Sequence, residues 1–200
     1  MTTMTMTFCP GTDRAATSDG YKQLCTCANR LPLPAPQAPV FRRTLGALVE
    51  IVRDIADDHG QAVDVEIVAP PFDRIGIWMG VRVHPDGAVD ARMSPWPLSS
   101  DPRCPTVERG AVGAHLLRHG WGFPRHLSSV DLRAGGGAVT QTFGADISGG
   151  RVAYHLIIAH TALFPVPART AWEARGYLLD EAGDPDRCLT WAGDPDRRTP

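Results

Sequence analysis

Three groups of residues in this 200-residue chain have types and spacings that can do chemistry. The first is Cys9, in Phe8-Cys-Pro-Gly11, together with Cys25 and Cys27, in Leu24-Cys-Thr-Cys-Ala28. Thiolates presented from short turns suit zinc, which takes four tetrahedral ligands. Only three are local, and His59 lies beyond a proline-rich stretch, so the fourth ligand stays open. The second group is His115-Leu-Leu-Arg-His119, two imidazoles one helical turn apart, a spacing that binds zinc in metallohydrolases. Leu116 and Leu117 stand where such enzymes carry their glutamate base, which favours polar residues on the exposed side of a helix over a metal site. The third is locally basic: Arg109, Arg118, Arg125 and Arg133 against the one acid Asp131. Residues 111 to 133 divide as helix, tight turn, helix, and with a strand pair from Ala138 to His160 they would make a winged-helix unit over 109–160. Arg118, Arg125 and Arg133 would then contact nucleic acid.

Residues 8 to 31 resemble the short Cys-Pro-Gly … Cys-x-x-Cys-Gly-Arg segments at the front of many small actinobacterial and actinophage proteins. Those segments read as zinc knuckles or ribbons, so the resemblance implies zinc held by Cys9, Cys25 and Cys27. It covers about a tenth of the chain. Two departures stand out. Cys25 and Cys27 have one residue between them, and Ala28-Asn29-Arg30 replaces the expected Gly-Arg.

Catalytic signatures are otherwise missing: no Gly-x-Ser-x-Gly, no phosphate-binding loop, no His-Glu-x-x-His and no dinucleotide fingerprint. Cys104 sits between Arg103 and Pro105, where a thiol is activated, but no base can be assigned to it. The formal charge of −2 argues against a general nucleic-acid-coating or membrane-surface protein. Arginine supplies nearly all of the Lys+Arg total of 20, with Lys22 the only lysine, which reads as codon bias of a high-GC genome. No apolar leader precedes Arg14, and five cysteines are an odd number, so the expectation is a cytoplasmic protein without a disulfide framework. The most apolar run, Val152 to Phe164, is broken by His155 and His160 and is too short to span a bilayer.

The elements that must position these groups follow from periodicity. Residues 1–39 form a Cys-rich arm ending in the proline-rich run Leu31 to Pro39, and the folded body begins near Val40. Phe41, Leu45, Leu48, Val52 and Ile55 recur at helical spacing up to Gly60. Val63–Val68 alternates as a strand, and residues 75–93 read as a hairpin turning at His84-Pro-Asp-Gly87. A proline-rich loop follows over 94–105, then a helix from Thr106 to about His119, then a strand over Ala138–Phe143. Arg151–Ala162 reads as a central strand, and Thr170-Ala-Trp-Glu173 as the capping box of a last helix ending near Ala182. The predicted class is α+β: helix, three antiparallel strands, helix, two strands, C-terminal helix, with helices on one face of a mixed or antiparallel sheet. Residues 40–182 would be the body, and 183–200 a turn-rich tail holding the Gly-Asp-Pro-Asp-Arg repeat.

Taken together these features predict a non-enzymatic accessory or binding protein of a high-GC bacterium, or of its phage or plasmid, with a zinc-binding arm and a protein partner. A metal-dependent hydrolase using His115 and His119, and a winged-helix-like DNA-binding regulator, are the alternatives.

Overall fold

The computed structural model describes residues 5–8, 31–69, 78–94, 109–122, 139–163 and 170–192. In chain order these hold β1 (Thr5–Phe8), β2 (Leu31–Leu33), α1 (Pro39–His59), β3 (Val63–Val68), β4 (Trp78–Val83), β5 (Val89–Met93), α2 (Arg109–Arg118), β6 (Val139–Phe143), α3 (Gly149–Leu163), β7 (Trp172–Leu179) and β8 (Pro185–Ala192). The eight strands make one sheet in the order β1-β8-β7-β3-β4-β5-β6, with β2 also paired to β7. Every pairing is antiparallel. Because β3 runs along one edge of β7, β2 and β8 share the other, β2 beside Trp172–Ala174 and β8 beside Gly176–Leu179.

Alternation on the strands assigns one face to the helices. Val63, Val65 and Ile67 register with Val83, Val81 and Met79, and these with Val89, Ala91 and Met93. All nine are at most 1% exposed. Phe41, Leu45, Leu48, Val49 and Val52 of α1, and Val152, Leu156 and Ala159 of α3, close over that surface in one apolar core. Leu116 at the end of α2, with Trp121, joins it beside β6. The helix layer is ordered α1-α3-α2, because α3 packs against both of the others. α1 and α3 cross at glycine: a Cβ on Gly46 would lie 2.9 Å from the Gly150 Cα, so only a bare backbone fits.

Two expectations are overturned. Arg151–Ala162 is not a central strand but lies within α3. Its buried residues Val152, Ala153, Leu156, Ala159, His160 and Leu163 follow a helical period, which the apolar neighbours Ile157 and Ile158 obscure in the sequence. The strand pair of a winged helix over 109–160 is therefore absent, since β6 is followed by a helix. Residues 170–182 are not a C-terminal helix either: β7 fills 172–179, with Trp172, Ala174 and Leu178 inward. Thr170 and Glu173 have the spacing of a capping box, but the alternation that follows them has the period of a strand, and pairing on both edges decides it.

Residues 185–192, in the stretch assigned to the tail, form β8. The first Gly-Asp-Pro-Asp-Arg copy is the turn into it. Gly183 takes φ 79°, a region L side chains avoid, and Asp180 accepts the backbone N–H groups of Ala182 and Asp184. Likewise β1 and β2 lie in the arm, and Pro32 is tolerated because β2 pairs on only one side. Pro39 opens α1 at a position where its missing N–H costs nothing.

Candidate functional site

The sheet face away from the helices carries charge, because β3 places Asp64 and Glu66 between its inward Val63, Val65 and Ile67. Asp64 registers with Arg82 and Tyr177, while Glu66 registers with Gly80 and Arg175. Arg82 forms a two-pronged pair with Asp64, Nε and one terminal nitrogen each 2.8 Å from a carboxylate oxygen. Arg92, on β5, reaches across Gly80 to the same carboxylate at 2.6 Å. Burial pushes the Asp64 pKa up, but the Arg82 hydrogen bond and the charges of Arg92 and Arg82 outweigh it and hold the carboxyl below its usual value. Next along, Asp90 accepts from the Thr142 hydroxyl at 2.7 Å and pairs with His84 at 2.9 Å. Burial again opposes, yet those hydrogen bonds hold its pKa low. Glu66 behaves oppositely: burial raises its pKa, and Arg175 and Arg92 offset this only in part. Burial, then the Glu66 charge, also pushes the Tyr177 hydroxyl up. Two carboxyls on one strand are thus driven apart in pKa, the pattern that separates acid from base roles in enzymes. Here most of the charge is already spent on internal pairs.

On the helix side, His115 and His119 stack with ring centroids 4.5 Å apart. The His115 Nε2 is buried without a hydrogen-bond partner. His155 of α3 packs on Phe143 at 5.3 Å, and burial, then the charges of Arg151 and His119, lower its pKa. The predicted pair therefore meets a third imidazole's field. Even so, among the described residues no three His, Cys, Asp or Glu side chains are placed to hold a metal ion. Arg118 is exposed at the end of α2; Arg125 and Arg133 lie outside the described residues, as does Cys104.

Cys9, Cys25 and Cys27 also lie outside the described residues, but the points where their segment joins the sheet do not. Phe8 pairs with Leu189, which pairs with Gly176; Leu31 pairs with Ala174, two residues along β7. With strands about 4.8 Å apart and a rise of about 3.4 Å per residue, the Phe8 and Leu31 Cα atoms are roughly 8 Å apart. The His59 ring meets the Phe8 ring edge-on at 5.0 Å, and the Arg187 guanidinium lies 4.1 Å from the centre of the Phe8 ring. His59, set aside in the sequence because a proline-rich run separates it from the cysteines, is thus adjacent to the residue that precedes Cys9.

Sequence reading missed the Asp64, Arg82, Arg92, Glu66 and Arg175 group. Its signal was present in the polar positions that alternate with valine on β3 and β4, although the partners needed the strand register. Among the described residues no helix is long and apolar enough to cross a membrane. No family model, no curated protein and no solved structure matches the chain.

Proposed function

We propose that the protein is a non-enzymatic binding protein whose N-terminal cysteine segment is a zinc-held loop seated on the edge of the sheet. The observation that carries this reading is the closeness of Phe8 and Leu31, which flank residues 9–30 and are both fixed in strands of one sheet. Cys9 follows directly on Phe8, and Cys27 lies four residues before Leu31. With its ends held, the segment has already lost most of the loop-closure entropy that would otherwise oppose gathering three thiolates around an ion. His59, whose ring meets the Phe8 ring, would complete a Cys3His donor set of the kind closed structural zinc sites use. Such a site would stiffen a recognition loop for a protein partner rather than perform a reaction, because all four positions are filled by the protein.

Elemental mass spectrometry of the reduced, tag-free full chain tests this. About one zinc per chain is expected, lost in the Cys9→Ser/Cys25→Ser/Cys27→Ser variant and retained in His115→Ala/His119→Ala. Cobalt substitution then reports the fourth ligand, and His59→Ala should shift the visible ligand-field bands. Metal that follows the His115 and His119 variants instead would favour the hydrolase reading, for which the unpartnered His115 Nε2 is the supporting feature. A chain purified without metal, and unable to take up added zinc, would sink the proposal.

A further inference from the structure

The helix layer carries a second feature, independent of the zinc reading. Between them α2 and α3 contain no aspartate or glutamate, whereas Arg109, Arg118 and Arg151 and four histidines lie in or directly after them. Arg118, His119 and Arg151 are exposed, as are Arg42 and Arg43 on the neighbouring first half of α1. Among the described residues Arg42, Arg43, Arg118 and Arg151 form no ion pair, while Arg82 and Arg92 on the other side of the sheet are both paired. The glycine crossing of α1 and α3 leaves an open cleft of about 340 Å³ with Gly46 and Gly150 in its wall and Arg42 and Arg43 at its rim. Glu50 is the acid in that cleft, and its carboxylate is occupied by the Gly149 N–H and by Arg53. Tyr154, 45% exposed, stands beside the cleft with the Arg42 guanidinium 5.3 Å from its ring centre.

We propose that this outer surface, running from Arg42 and Arg43 past Tyr154 and Arg151 to Arg118, binds single-stranded nucleic acid. Unpaired guanidinium groups follow a phosphate backbone, and an exposed aromatic ring between them offers a stacking platform for a base. Duplex readout needs an element that projects into a groove, and among the described residues the helices lie side by side in one layer and present none. An anionic membrane would require more apolar surface than Leu117 and Tyr154, the exposed large hydrophobic side chains among the described residues. This mode differs from a winged helix, since β6 is followed by α3 and not by a partner strand. It also explains how a chain of net charge −2 can bind a polyanion: the acids Asp54, Asp57 and Asp58 are gathered at the far end of α1.

The test is fluorescence anisotropy of the full chain with a labelled oligothymidylate of roughly 20 nucleotides. The same-length duplex and phosphatidylserine vesicles are run beside it. The oligothymidylate should bind more tightly than the duplex, and more weakly as salt rises. Arg42→Gln/Arg43→Gln should weaken binding about tenfold and flatten the salt slope. Tyr154→Ala should weaken it about fivefold with the slope kept, since stacking releases no counterions. Arg187→Gln on β8 and the triple cysteine variant should leave it unchanged, which separates this surface from the zinc loop. Circular dichroism checks that each variant is folded. Absence of binding to the oligothymidylate, tighter binding to duplex or vesicles, or full binding by the folded Arg42→Gln/Arg43→Gln variant would each overturn the proposal.

Discussion

On the helix-covered face of the sheet, Val63, Val65 and Ile67 meet valines, alanine and methionines in register, and α1 and α3 seal them from water. On the other face the residues between them, Asp64 and Glu66, meet arginines, and the nearby Asp90 meets His84 and Thr142. The two faces lie one residue apart along each strand, yet they solve burial by different physics. One removes apolar area from water at about 25 cal/mol per Å². The other surrounds half-buried charges with partners, so its net contribution to stability is small even though losing one partner is expensive. Adjacent to one another, the faces allow direct experiments on which rule governs which side.

The largest effect should come from the polar group that breaks the rule on the apolar side. His160 of α3 is fully buried and meets Trp172 edge-on at 5.0 Å. Burial lowers its pKa from 6.5 to about 3. Between those values the folded state binds fewer protons than the unfolded one, so stability falls as the pH drops through that window. At about pH 4 the loss relative to neutral pH is on the order of 3 kcal/mol. His160→Leu should remove most of that slope in urea unfolding curves recorded from pH 7 down to 4. A variant that keeps the wild-type slope would place the acid sensitivity elsewhere and break the contrast on this side.

The next effect belongs to the polar face. Asp64→Asn removes the charge that Arg82 and Arg92 share, leaving two half-buried guanidinium groups facing one another. Removing one partner of a fully buried pair costs about 3–5 kcal/mol, and since the Asp64 side chain is 19% exposed a loss of about 2 kcal/mol is expected. The same loss of charge on the unpaired helix surface, Arg43→Gln, should stay within about 0.5 kcal/mol. Equal effects of the two substitutions in chemical denaturation would erase the distinction between paired and unpaired faces.

Much of this contrast is legible in the sequence, and the exceptions have physical causes. The apolar positions of α1 and the alternation of β3 are local and unambiguous, so both elements follow from periodicity. Gly87 at the end of His84-Pro-Asp-Gly87 likewise marks the turn between β4 and β5, where its N–H bonds the His84 carbonyl at 2.9 Å. α3 failed because a short apolar run satisfies both periods, and only its length of 15 residues and the glycine crossing with α1 favour a helix. β7 failed because the local Thr170-x-x-Glu173 signal outweighed an alternation whose inward positions include Ala174 and Gly176, small residues that barely register as hydrophobic. For the candidate sites the obstacle was distance in sequence. His59 reaches Phe8 only because β1 pairs with β8 and β8 with β7. Asp64 finds Arg92 only because β4 pairs with β3 on one side and with β5 on the other.

On the polar face Glu66 gives a smaller effect than Asp64 and the most informative sign. Its carboxyl is buried enough to raise its pKa, and Arg175 and Arg92 compensate only partly. In the folded state the proton is therefore held more tightly than in the unfolded chain. The ionised form costs stability above the raised folded pKa, and that cost disappears as the pH falls below the unfolded value near 4.5. Glu66→Gln keeps the shape and removes the charge, so it should stabilise the protein at pH 7 by less than about 1 kcal/mol, and the difference from wild type should vanish near pH 4. The gain is limited because Arg175 and Arg92, each with a buried Nε lacking a hydrogen-bond partner, lose a neighbouring anion. Should Glu66→Gln instead destabilise the protein at pH 7, Glu66 would be a counterion like Asp64, and the polar face would be built wholly of pairs. A stabilising substitution would mean that one position on that face holds a carboxylate at a cost to the fold, and such a position is where a ligand's cation or hydrogen-bond donor would be sought.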